Sequence, residues 1–421
     1  MNDPTVDPDR LSWVAVPPGS DFPIQNLPFG VVAAEGSERH AVVAIGEQTL
    51  DLAVLHDAGM FVGIGVPDGV FSAGSLNPYL ALGNPVWRAT RHRIGELLDA
   101  AHSELRDSPL VSRALRPQDE ATQVLPMEVG DYVDFYSSEQ HATNVGEMFR
   151  PGGDPLLPNW KHLPVAYHGR SSTVVVSTTD IRRPTGQRRP TDGGRPPFGP
   201  SASLDIELEV GFVTGPGNLL GEPVPIANAE DHIFGLCLVN DWSARDLQAW
   251  EYRPLGPFLG KSFATTISPW LVQLDALAPY RVPQPRQDPV PLPYLAAPED
   301  AAFDLHLEAD LNGTTITQTE FREMYWTAPQ QLAHVTVNGT RIRAGDLYAS
   351  GTVSGRAPAS FGSLLELSWN GTRPIELDDG TARFFLEDGD TVTLRGWCGG
   401  DDRPRIGFGT CRGTVVPGTP A

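Results

Sequence analysis

The 421-residue sequence predicts a mainly β (α+β) protein. Three observations point there. Short stretches of alternating apolar and polar residues recur along most of the chain, the period-2 signature of strands. Gly 43 and Pro 40 together make about a fifth of the residues and cut the chain into short segments. A 40% hydrophobic content is too high for a disordered polymer, so those segments have a core to bury. At roughly 150 residues per domain, the length predicts two or three domains.

The elements follow in order. HAVVAIG (40–46) and TLDLAV (49–54) read as short strands within a strand-rich opening. Ile94, Leu97, Leu98, Ala101 and Leu105 then fall at i, i+3, i+4, i+7 and i+11, which predicts a helix. The polar, proline-bearing stretch 107–123 sets a domain boundary near residue 122, giving units 1–122 and 123–421. Beyond it, 174–181, 202–213, 303–313 and 390–397 all alternate as strands do. Helices are expected at about 241–252 and about 318–335. Segment 182–200, with five Arg and five Pro, reads as a surface or interface loop; 279–300 is an extended, proline-rich connector.

Charge and composition exclude several functions. A formal charge of −21 argues against nucleic-acid binding, which needs clustered cations against phosphate, and against an anionic membrane surface. No run approaches about 18 uninterrupted apolar residues, so no spanning helix is expected. The opening MNDPTVDPDR lacks a basic region followed by an apolar run, and Cys237, Cys398 and Cys411 are too few for a disulfide framework. These readings predict a cytoplasmic protein with reduced thiols. Lysine is nearly absent: of 31 basic residues only Lys161 and Lys261 are not Arg. A lysine kept in such a chain marks a candidate place for a compact ammonium.

Five constellations could carry chemistry. In 202–213 a regular strand places Asp205, Glu207 and Glu209 on one face and Ile206, Leu208 and Val210 on the other. Such acids either face water or share a cation that relieves their repulsion. In 240–252 a helix would align Asp241, Arg245, Gln248 and Tyr252, a face of four different polar groups unlike a packing stripe. Asp241 alone also suits an N-cap. Segment 131–150 gathers Asp131, Asp134, Tyr136, His141 and Arg150, with His141 the candidate base. Segment 256–270 carries Lys261 without the spacing of a P-loop, and 349–355 is a Gly-rich turn able to offer N–H groups to an anion. Zinc and dinucleotide motifs are absent from the sequence, so any metal would be held by oxygen.

Long segments resemble the fumarylacetoacetate hydrolase family. They include SDFPIQNLPFGV (20–31), DYVDFYSSEQHATNVGEMFR (131–150), LPNWKHLPVAYHGRSSTVVVS (157–177), HIFGLCLVNDWSARDLQAWEY (232–252), GPFLGKSFATTISPW (256–270), LYASGTVSG (347–355) and RIGFGTC (405–411). The resemblance implies a small N-terminal Src-homology-3-like barrel and a large C-terminal mixed β-sandwich roll, assembled as a homodimer. It implies hydrolysis of a β-diketo acid, 4-fumarylacetoacetate, in the last step of tyrosine and phenylalanine breakdown, the alternative being a related acylpyruvate hydrolase, 2-oxoacid decarboxylase or isomerase of the same superfamily. It places Ca²⁺ or Mg²⁺ on Asp134, Glu207, Glu209 and Asp241, with Lys261 and Thr265 close by. His141 matches the base and Glu366 its partner, with Arg245, Gln248 and Lys261 also catalytic. Tyr136, Arg150, Tyr167, Arg245, Gln248, Tyr252, Gly351 and Thr352 match substrate-contacting positions.

Overall fold

The computed structural model describes residues 3–33, 38–400 and 403–419. The N-terminal part forms a five-stranded antiparallel sheet from β1 (Phe29–Ala33), β2 (Arg39–Ile45), β3 (Gln48–Asp51), β4 (Leu115–Pro117) and β5 (Thr122–Val124), ordered β4-β3-β2-β1-β5. The stretch read as a strand over 49–54 turns helical after Asp51, whose carboxylate accepts the Val54 N–H at 3.1 Å. The helix α1 (Asn84–Leu98) stops before Ala101 and Leu105, short of the apolar spacing. Asp99 is extended there, and its carboxylate accepts from the Arg10 guanidinium at 2.8 Å. Leu105 is still fully buried, but from an irregular segment.

The C-terminal part opens with β6 (Tyr132–Phe135), α2 (Glu139–Phe149), β7 (Ala166–His168), β8 (Val174–Val176) and β9 (Ile181–Arg182). The Arg- and Pro-rich segment contains a hairpin, β10 (Thr185–Gln187) with β11 (Phe198–Pro200), where a loop was expected. Then come β12 (Leu204–Asp205), β13 (Leu208–Thr214), β14 (Ile233–Asn240), β15 (Ser243–Ala244), α3 (Arg245–Glu251) and β16 (Thr265–Ile267). The remaining scaffold is β17 (Leu305–Leu311), β18 (Thr314–Glu320), α4 (Ala328–Thr336), β19 (Leu347–Ala349), α5 (Leu364–Leu367), β20 (Thr391–Cys398) and β21 (Ile406–Val416). The helix expected over 318–335 is therefore later and shorter. Thr327 and Gln330 form a capping box that fixes its start, while 314–320 pairs with β17.

Eight strands make one sheet whose main path is β7-β6-β19-β13-β14-β16-β8, and five make a second, β18-β17-β20-β21-β9. Leu208, Val210 and Phe212 of β13 share an apolar cluster with Leu307, Leu394 and Phe408 of the second sheet. Val213 and Val239 share another with Phe29, Tyr79 and Trp87 of the N-terminal part. The large sheet is thus covered on both faces, and every residue of β13 and β14 is buried. No helix among the described residues is long and apolar enough to cross a membrane. β6, β19, β13 and β14 lie side by side, so side chains at their adjoining ends are brought together.

Candidate active site

Acids from three chain segments meet at that end of the sheet. Asp134 stands on β6, Glu207 in the break between β12 and β13, and Asp241 just past β14. One oxygen from each lies within 4.8 Å of the other two, and all three residues are buried. The two bends are tied together: the Asp241 N–H donates to the Glu207 carbonyl at 3.3 Å, and the Glu207 N–H to Asn240 Oδ1 at 3.1 Å. Glu209 of β13 borders the trio, and its Oε2 accepts the Gly351 N–H at 3.0 Å. Burial first, then the neighbouring acids, push Asp134 and Glu209 well above the usual carboxylate range. Asp134 Oδ1 and Glu209 Oε1 are buried with no hydrogen-bond partner.

Two cations are fixed against this charge. Lys261 donates to Glu207 Oε2 and, at 2.9 Å, to Asp241 Oδ2. Arg245 pairs with Glu207 Oε1 at 2.8 Å and with Asp205 Oδ2 at 2.7 Å. Burial alone would push Glu207 up, but Lys261 and Arg245 outweigh it and hold the carboxyl below its ordinary value. Thr265 Oγ1 and the Tyr167 hydroxyl donate to Asp241 at 2.7 and 2.6 Å. A cavity of about 150 Å³, lined in part by Arg170 and Phe258, is also lined by Tyr167 and Lys261, which bond to Asp241.

Beside the acids lies a proton-handling pair. His141, on the first turn of α2, brings Nδ1 to 2.7 Å from Glu366 Oε2. A carboxylate can only accept, so in the neutral ring the proton sits on Nδ1 and Nε2 is left as an acceptor. Burial acts upward on Glu366, but His141 and the donors around it hold the carboxyl below its ordinary value. His141 is near enough to Glu207 that an imidazolium there would help lower that acid. The Tyr136 ring meets the imidazole edge-on at 5.2 Å between centroids.

The remaining expected residues are placed as follows. Arg245 and Gln248 share α3, with Arg245 Nη1 at 3.4 Å from Gln248 Oε1, and Arg245 Nη2 is buried without a partner. Tyr252 closes the far end of α3, partly exposed, with the Arg253 guanidinium over its ring. Arg150 ends α2, donates to the Pro155 carbonyl and leaves Nε buried and unpartnered. Thr352 is buried beside Gly351 with its hydroxyl also unpartnered.

Two local expectations are corrected. Asp241 is not on a helix face with Arg245 and caps nothing: β15 intervenes, and α3 begins only at Arg245. Asp205 does not join Glu207 and Glu209, because the ladder breaks at Ile206 and Glu207. Its carboxylate instead accepts the Leu364 and Leu365 N–H groups at 2.7 and 3.1 Å. Asn144, Ser354 and Ser363, which the sequence reading did not single out, all donate to Glu366. A signal did exist for one of them: Ser363 stands three residues before Glu366, the spacing of a helix-capping pair.

Comparison with known proteins adds the lineage. The family model for the fumarylacetoacetate hydrolase C-terminal region matches residues 132–416, and that for the fumarylacetoacetase N-terminal region matches 25–126. The chain belongs to the fumarylacetoacetate hydrolase family. It is 53% identical over 417 residues to the fumarylacetoacetase of Rattus norvegicus and 52% identical over 417 to that of Homo sapiens. Each match covers 97% of this chain and 99% of the relative. A solved fumarylacetoacetate hydrolase from Exiguobacterium antarcticum is similar in fold, with a TM-score of 0.54 at 18% identity, over 93% of this chain and 99% of that one.

Two substitutions test the geometry. Gly351 has φ of +78°, and a Cβ there would stand 2.3 Å from the Phe135 carbonyl oxygen. Gly351→Ala should displace the end of β6 that carries Asp134 and lower turnover by at least about tenfold; wild-type kinetics would show that the strand end is not constrained. Lys261→Arg keeps the charge but replaces a compact ammonium by a planar fork, and should lower kcat by about a hundredfold. An unaltered rate would show that charge alone matters at that position.

Proposed function

We propose that this chain hydrolyses the carbon–carbon bond of 4-fumarylacetoacetate, giving fumarate and acetoacetate at the end of tyrosine and phenylalanine breakdown. The observation that carries this reading is the meeting of an oxygen-only acid cluster with a His–Glu pair. It stands in a chain about half identical to fumarylacetoacetases over nearly their whole length.

The acid cluster fits a divalent cation. Asp134 Oδ1 and Glu209 Oε1 are buried acceptors without donors, which a metal ion would satisfy. An all-oxygen set suits hard Ca²⁺ or Mg²⁺ rather than zinc. Asp134, Glu207, Glu209 and Asp241 would hold it, with Lys261 and Thr265 fixing the orientation of the carboxylates. When bound, it would polarise the diketone oxygens and take up negative charge.

The protein's own groups account for the remaining steps. His141 Nε2 takes a proton from water as the water oxygen attacks the carbonyl carbon of the fumaryl group, which becomes the second carboxyl of fumarate. Glu366 keeps the Nδ1 proton in place and offsets the imidazolium. Arg245 Nη2, free of other partners, and the Gln248 amide are the donors available to the tetrahedral oxyanion. When the carbonyl re-forms, the carbon–carbon bond breaks and its electron pair leaves on the acetoacetate carbon. The proton held by His141 completes that product. Arg150 Nε and the Thr352 hydroxyl, both unpartnered, suit the substrate's anionic and carbonyl oxygens, and we assign Tyr136, Tyr167 and Tyr252 as further substrate contacts.

We further assign a homodimer and a cytoplasmic setting. Leu255, Phe258 and Leu259, exposed in the segment after α3, offer a surface that a second copy could cover. Three buried, unpaired cysteines suit a reducing compartment.

Loss of the diketone ultraviolet absorbance of fumarylacetoacetate measures the reaction. Chelation should stop it, and Ca²⁺ or Mg²⁺ should restore it; full activity in metal-free protein would remove the metal from the mechanism. His141→Ala should lower kcat by about 10²–10⁴-fold with metal binding unchanged. Turnover surviving within about tenfold would assign the base elsewhere.

A further inference from the structure

We infer that Asn144, Ser354 and Ser363 are positioning residues for the reaction, acting by holding the Glu366 carboxylate in the one orientation from which it can serve His141. The inference rests on His141 being the base.

Glu366 is fully buried, and its carboxylate is surrounded by donors from three parts of the chain. Oε2 accepts from His141 Nδ1 at 2.7 Å, Ser354 Oγ at 2.9 Å and Ser363 Oγ at 2.8 Å. Oε1 accepts from Asn144 Nδ2 at 2.8 Å. Each serine is itself oriented. Ser354 Oγ accepts the Gly362 N–H at 3.0 Å, and Ser363 Oγ accepts the Glu366 N–H at 3.3 Å. With those acceptor positions taken, both hydroxyl protons are directed at Oε2.

Asn144 lies three residues after His141 on α2, so one helix face presents both the base and a donor to the base's partner. The two oxygens of Glu366 are thereby distinguished. Rotation of the carboxylate would break the Asn144 bond and unseat both serines. The same donors stabilise the ionised form, and a buried carboxyl without them would favour the neutral one. A neutral Glu366 could neither hold the Nδ1 proton in place nor offset the imidazolium.

Asn144 gives the cleaner test because it is only partly buried. Asn144→Asp keeps the shape and replaces the donor by an acceptor facing Glu366, whereas Asn144→Ala removes the group. On this account N144A lowers kcat about tenfold and N144D about a hundredfold, the range for partners of a functional group. KM should stay within about twofold for both, because substrate is not touched. A role in packing alone predicts the reverse order, with N144D the milder change, and that order would overturn the inference. So would equal losses in kcat and KM.

Thermal unfolding of each variant separates misfolding from lost positioning. If N144D does not fold, Ser363→Thr and Ser363→Ala decide instead: the retained hydroxyl should recover most of the kcat that S363A loses, and no recovery would overturn the inference. Wild-type protein in the same assay isolates the reaction itself. A wild type inert toward fumarylacetoacetate overturns the proposed activity and the inference with it. An active wild type with indifferent Asn144 and Ser363 variants overturns only the donor set.

Discussion

Everything in this structure that could do chemistry depends on keeping like charges together inside a dry sheet. Three carboxylate oxygens within 4.8 Å of one another repel by about 3 kcal/mol per pair at the effective dielectric of protein sites. All three residues are buried, so bulk water relieves little of that repulsion. The fold offsets it with side chains of opposite sign. Lys261 bonds two acids and Arg245 bonds two, Glu207 being common to both, so three acids are reached. Glu207 is accordingly held ionised while Asp134 and Glu209, reached by neither cation through a direct bond, are pushed toward the neutral form. That imbalance is the physical argument for a cation: the unrelieved acids are also the ones with unpartnered oxygens.

Asp205 shows how the two halves of the site are joined. One oxygen accepts the Leu364 N–H and the other accepts both Arg245 Nε and the Leu365 N–H. Leu364 and Leu365 open α5, the short helix that carries Glu366. A single buried carboxylate thus fixes the guanidinium facing the acid cluster and the start of the helix that orients His141. Breaking such a buried pair from one side costs about 3–5 kcal/mol, so the two halves are constrained to move together.

Much of this was legible in the sequence, unevenly. Local pattern singled out Glu207, Glu209, Asp241, His141 and Lys261 as candidates in separate segments, and only the family resemblance joined them with Asp134 and Glu366 into one site. The rarity of lysine was informative for one of two: Lys261 is buried among acids, whereas Lys161 makes a partly exposed pair with Glu139. Spacing arguments failed where a ladder breaks. A regular strand puts Asp205 beside Glu207 and Glu209, but the interruption at Ile206 and Glu207 sends it to α5. A helix through 241–252 would align Asp241 with Arg245, yet they reach the same acid cluster from a bend and from the first turn of α3. Both residues belong together for a reason that local periodicity does not express: tertiary convergence of adjoining strand ends. The donors on Glu366 were harder to see, since Asn and Ser are common and their partners lie up to 222 positions away.

The N-terminal part covers the face of the sheet to which Glu209 turns. Along β13, Leu208, Val210 and Phe212 turn toward the second sheet, so Glu209, Gly211 and Val213 turn the other way. Val213, Cys237 and Val239 on that face share a cluster with Phe29, Tyr79 and Trp87. Gly211 is without a side chain where a Cβ would stand 2.7 Å from a Val239 methyl. Tight apolar packing on that side fixes β13 and β14, and with them the strand positions from which the acids converge. The N-terminal part contributes none of the expected site residues, yet it packs on the face of the sheet to which Glu209 turns.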